Sequence, residues 1–201
     1  MPKLFHNPIH FEKLPRIAQI TNAHCGPAVV VMLLANLGIK AEQSEIVDAA
    51  GSSQKRLNKY GMSVPEMAVA IDKLYPNVQF WMKDNTTIPE LRSLVVDHKY
   101  PVGVEWQGEF LEYSDDDNGH YSVITHIDDW DNMVYIADPY PNFAGRDRRI
   151  PLSRFEELWW DINDVRDTKT DRMIHVKDYH MVFIITLKNE TFPREIKMIR
   201  G

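Results

Sequence analysis

The chain has 201 residues, a formal net charge of −6 and a hydrophobic fraction of 44%. Such a length allows one substantial core, and a single domain over residues 1–201 is expected. The acid excess, with no dominant basic patch, speaks against nucleic-acid binding. No run of about 18 apolar residues supplies a membrane span, and MPKLFHNPIHFEKLPRIAQ lacks the apolar stretch of a signal peptide. The single cysteine, Cys25, excludes an internal disulfide and fits a reducing compartment, so a cytoplasmic location is expected.

In chain order, the first predicted element is a helix over residues 25–37. Pro27 falls in its first turn, where a missing N–H costs nothing, and Gly38 supplies a stop. Its side chains from Val29 to Leu34 are apolar all round, the mark of a buried helix. Short helices are expected over Ala41–Ala50, Val64–Leu74 and Thr87–Asp97. Strands follow over Pro101–Trp106, Tyr121–Ile127, Met133–Ala137 and His180–Leu187, all enriched in β-branched and aromatic residues. Between the last two, Leu152, Phe155, Leu158 and Trp159 form one amphipathic helical face. Helices leading into an antiparallel sheet make an α+β chain. The acidic run Asp115–Asp117 and the basic cluster Arg146, Arg148 and Arg149 read as solvated surface, and Trp81, Trp106, Trp159 and Trp160 as core.

Cys25 admits two readings. A lone cysteine is commonly a small buried hydrophobe. At a helix N-terminus, however, unpaired backbone N–H groups and the helix dipole favour thiolate, the nucleophilic form. Such a nucleophile needs a base and a group that orients the base. His120 lies in NGHYSVITHIDDWDNMVYIADPYP, which reads as a hairpin turning at Asp129–Asp131. With a three-residue loop, Asp128 pairs with Asn132, and Asp138 falls opposite Ser122, diagonal to His120 on the same face. A loop of even length would place the two on opposite faces. His126 shares the parity of His120 but lies roughly 20 Å along the strand, facing Val134, and reads as structural or surface.

Gln19 followed by Cys25-Gly26 and a hydrophobic helix resembles the opening of the C39-like peptidases. This branch of the papain-like cysteine peptidases includes the leader-peptide-cleaving domains of bacteriocin exporters. GHYSVITHID and then VYIADPYP are similar to that family's second signature, and LSRFEELWW echoes the helix after it. The resemblance, over roughly residues 15–187, implies a papain-like fold with a buried cysteine-bearing helix packed on an antiparallel sheet. It implies a cysteine peptidase acting on a peptide or protein substrate. By it, Cys25 matches the nucleophile, His120 the general base, Asp138 the residue that orients the imidazole, and Gln19 the oxyanion-hole side chain. No cofactor or metal is implied, and adjacent His24-Cys25 is poor spacing for a chelated metal. An acyl transferase or amidase with the same triad, or an inactive binding module, are the alternatives. The chain departs from the exporter domains at His24, where they commonly carry Asp, and at His126, where glycine is usual. Specificity for a double-glycine leader is not part of what the resemblance implies.

Overall fold

The structure, a computed structural model, describes residues 11, 14–110, 118–166 and 173–201. The Asp115–Asp117 run lies outside the described residues.

Four helices come first: α1 (Cys25–Asn36), α2 (Gln43–Ala50), α3 (Gln54–Tyr60) and α4 (Val64–Leu74). Every residue of α1 from Cys25 to Leu34 is buried, as an all-round apolar surface requires. Gly38 follows it with a φ of +78°, a conformation other residues resist. Helix α4 is closed by a capping box in which Ser63 and Glu66 exchange backbone bonds. Helix α3 was not anticipated, because QKRLNKY buries only Leu57 and has no apolar stripe to read.

The chain then enters β1 (Val78–Lys83), short α5 (Ile88–Arg92) with a π turn over Ser93–Asp97, β2 (Val102–Gln107), β3 (Gly119–Asp128), β4 (Met133–Ala137) and β5 (Asp147–Pro151). Helix α6 (Leu152–Leu158), β6 (Trp160–Arg166), β7 (Met173–Tyr179), β8 (Val182–Leu187) and β9 (Ile199–Arg200) complete it. Seven strands form an antiparallel sheet in the order β5-β4-β3-β2-β8-β1-β9, and β6 with β7 makes a separate two-stranded ribbon. One core lies between the sheet and α1, α2 and α4, with Val29, Met67, Val123 and Phe183. A second lies on the opposite face, where Trp106, Phe155 and Trp159 pack with Leu91 and Ile136. This is the α+β architecture with segregated layers expected from the sequence.

The β3–β4 hairpin reaches its register by a different route from the one expected. Its turn pairs Asp128 with Met133, which encloses four residues rather than three. That even loop would put His120 and Asp138 on opposite faces. A β-bulge between Ile124 and His126 adds one residue to β3 and restores the phase, so that Ile124 pairs with Ile136 and Val123 with Ala137. The bulged Thr125 is held there, its hydroxyl donating to Asp147 Oδ2 at 3.0 Å. The same bulge turns His126 over. Ile124 and Ile127, of opposite parity, share one core, and His126 faces Tyr135 rather than Val134.

Candidate active site

Three side chains from three elements meet at one end of the sheet. Cys25 opens α1, capped by His24. His120 is the second residue of β3, opposite Trp106 of β2. Asp138 immediately follows β4. His120 Nε2 and Asp138 Oδ1 are 2.8 Å apart, and Cys25 is near enough for its side chain to help raise the pKa of the imidazole. With Nε2 engaged by the carboxylate, Nδ1 is the ring nitrogen left for the thiol. All three residues are buried. Phe110 sits edge-on to the imidazole with centroids 5.0 Å apart, shielding its flank.

Burial alone would lower the pKa of His120, but the charge and hydrogen bond of Asp138, with those of Cys25, outweigh it and raise it to about 10. Burial also pushes the Asp138 carboxyl toward protonation, and is overcome by His120, the Tyr140 N–H and Arg148, which hold it below its ordinary value. Tyr140 N–H donates to Oδ1 at 2.9 Å. The geometry therefore favours imidazolium and carboxylate side by side.

Gln19 is buried next to this chain of contacts, its backbone N–H donating to Pro139 O at 2.8 Å. Its side-chain Nε2 donates to Thr21 O at 2.9 Å, and its Oε1 is buried without a partner. His24 is buried with Nδ1 2.5 Å from the Thr21 hydroxyl. Burial lowers its pKa and so favours the neutral ring, and no acidic residue in the first turn offsets the positive end of α1. His126 packs against Tyr135 away from the site.

Cys25 lines a cleft of about 540 Å³. One wall is Thr21–Ala23, another is Leu57–Met62 from the end of α3, and a third is Asp161–Asp164 of β6. Glu105, Gly119 and Tyr121 also line it. Glu105 is buried, accepts from the Tyr121 hydroxyl and from Asn163 Nδ2 at 3.2 Å, and its carboxyl is pushed up by desolvation. Gln107 Nε2 holds Asp161 Oδ1 at 2.8 Å. Gly119 leaves the room that Asp161 occupies, since a Cβ would lie 2.5 and 2.6 Å from its two carboxylate oxygens. The sequence carries little sign of this wall. Its one signal was a glutamate inside VGVEWQ, a strand otherwise fit for full burial. Among the described residues, no group of three or more His, Cys, Asp or Glu is placed to hold a metal ion. No helix among them is long and apolar enough to cross a membrane.

The model of the Peptidase_C39 like family matches residues 11–166. An uncharacterised protein of Methanothermobacter marburgensis is 23% identical over 123 residues, 61% of this chain and 70% of that protein. The fold is similar to the peptidase domain of Streptococcus ComA, a bi-functional ABC transporter involved in a quorum-sensing pathway. That match has a TM-score of 0.57 at 16% identity, covering 86% of this chain and 97% of the other. It is also similar to a double-glycine-motif protease from an AMS/PCAT transporter in complex with the leader peptide. There the TM-score is 0.56 at 16% identity, over 92% and 96% of the two chains.

Proposed function

The chain belongs to the Peptidase_C39 like family, and from that premise we propose that it hydrolyses peptide bonds through Cys25, His120, Asp138 and Gln19. The observation that carries the reading is the 2.8 Å pair of Asp138 and His120 beside Cys25, with the cysteine at the start of α1 on the wall of a cleft. The Cys25 sulfur attacks the peptide carbonyl as thiolate, and the imidazolium of His120 protonates the departing amine. His120, now neutral, takes a proton from water, whose oxygen attacks the thioester and releases the acid. Asp138 keeps the imidazole in one tautomer and one orientation throughout. The carbonyl oxygen becomes negative at each tetrahedral stage, and the backbone N–H of Cys25 and the free amide hydrogen of Gln19 are the donors for it. A peptide as substrate is supported by the leader peptide bound in the similar transporter protease.

The test compares native chain with Cys25→Ala and Gln19→Ala, using iodoacetamide at about pH 6 and a mixed peptide library analysed by mass spectrometry. Native protein is expected to alkylate faster than a free thiol and to cleave peptides, and Cys25→Ala to do neither. Gln19→Ala is expected to keep rapid alkylation while losing about 10²–10³ of turnover. A folded native chain that alkylates only on denaturation would overturn the nucleophile assignment, and Gln19→Ala turnover within about threefold of native would overturn the oxyanion role.

A further inference from the structure

Arg148 sits on β5 opposite Ile136 of β4, in a basic run that composition alone assigns to solvent. The structure turns it inward. Its Nη1 lies 2.5 Å from Asp138 Oδ2, the carboxylate oxygen that His120 does not use. Its Nη2 donates to Glu109 O at 3.2 Å, and its guanidinium carbon stands 3.7 Å from the Phe143 ring centroid and 5.8 Å from that of Trp106. The side chain is 14% exposed, and that of Asp138 is 0% exposed.

We propose that Arg148 is a positioning residue, whose guanidinium keeps the buried Asp138 carboxylate ionised and turned so that Oδ1 is presented to His120. The proposal rests on the peptidase reading for its consequence in turnover. A carboxyl with no exposed surface and only a neutral imidazole beside it favours its protonated form. Protonated, it could no longer serve purely as an acceptor for the imidazole N–H. A permanent cation on the far oxygen removes that choice, and the two-nitrogen grip from Asp138 to Glu109 O fixes the angle. Arg148 also draws on the same negative charge that stabilises the imidazolium, so it tempers how strongly His120 holds its proton. Among the described residues, the ionisable groups at this unit are Cys25 from α1, Asp138 and Tyr140 after β4 and Arg148 from β5, with Asp161 of β6 lying against Gly119, the residue before His120. Phe110, Trp106 and Phe143 contribute rings without charge.

The experiment follows the His120 imidazole by proton–carbon NMR across pH in the full chain, assigned with His120→Ala. Peptide turnover and the pH profile of Cys25 alkylation are measured in parallel. Arg148→Met keeps the apolar stem and removes the charge. Its His120 titration is expected to move to higher pH by on the order of one unit, and its turnover to fall by up to about 10²-fold. Arg148→Lys restores a cation without the fork, and is expected to return the titration toward its native position while turnover stays reduced. Should the Met variant not fold, Arg148→Gln retains a hydrogen bond to Asp138 without charge and is expected to show the same upward shift. A folded neutral variant with an unmoved His120 titration overturns the proposal, because an ion pair that merely ties β5 in place would leave the imidazole as it was. The titration does not depend on cleavage. A native chain that cleaves no peptide while Arg148→Met shifts His120 as expected refutes the peptidase reading and leaves the positioning role standing.

Discussion

Asp138→Asn keeps the shape of the side chain and removes its charge, which isolates what the carboxylate does for His120. The imidazole is raised from 6.5 to about 10, on the order of 5 kcal/mol in favour of its charged form. Asp138, through charge and hydrogen bond, supplies the leading favourable share against the cost of burial, and Cys25 adds the rest. Loss of an opposite charge at this range is worth about 1–3 pH units, so the His120 titration and the alkaline limb of activity are expected to move down by that amount. The direction is opposite to that expected for Arg148→Met, which removes a cation. Stability falls as well. An asparagine that turns its oxygen to His120 points its NH₂ at Arg148 Nη1, where the carboxylate oxygen now accepts at 2.5 Å. Breaking a buried pair by removing one partner costs about 3–5 kcal/mol, and the partial exposure of Arg148 places this case at the lower end. The signs with pH follow from the two shifts. Asp138, lowered from 3.8, stabilises the fold above that value and loses its effect as pH falls through its folded pKa. His120, raised, stabilises the fold below 6.5 and loses its effect as pH climbs through about 10. The deficit of the variant is therefore greatest between roughly pH 4 and 6.5. NMR titration of His120 and thermal melts across pH measure both effects. An imidazole that titrates at the same pH in a folded Asp138→Asn chain would refute the reasoning.

Two further predictions concern the wall of the cleft. Glu105 is raised from 4.5 by burial, so its contribution is fully present below that pH and declines as pH rises through its folded pKa. Glu105→Gln keeps an acceptor for Tyr121 and Asn163 without a charge to expose, and its melting temperature is expected to gain on native as pH rises from 4 to 8. A difference that is constant with pH would count against a buried, titrating Glu105. Gly119→Ala forces a Cβ to within 2.5–2.6 Å of the Asp161 carboxylate, which Gln107 pins. A loss of about 1–3 kcal/mol in chemical denaturation is expected, and a change inside about 0.5 kcal/mol would show that Asp161 steps aside freely.

The sequence by itself determined the buried helix that carries Cys25, because a segment apolar on every side has only one place to go. It determined Met133–Ala137 as a strand and Val64–Leu74 as a helix to the residue, since caps and β-branched runs act locally. It also made Cys25, His120, Asp138 and Gln19 the residues to watch. Other features were decided only by tertiary contacts. The ribbon strands WDINDVR and MIHVKDY are too polar to announce themselves, and they are strands because they pair with each other, which sets β6 against the cleft. The bulge at Thr125 depends on Asp147, 22 residues away, and without it the four-residue turn would have separated His120 from Asp138. Arg148 is one arginine among three in sequence. Only the pairing of β5 with β4 aims it at the carboxylate, because burial and charge compensation belong to neighbours in space and not to neighbours in the chain.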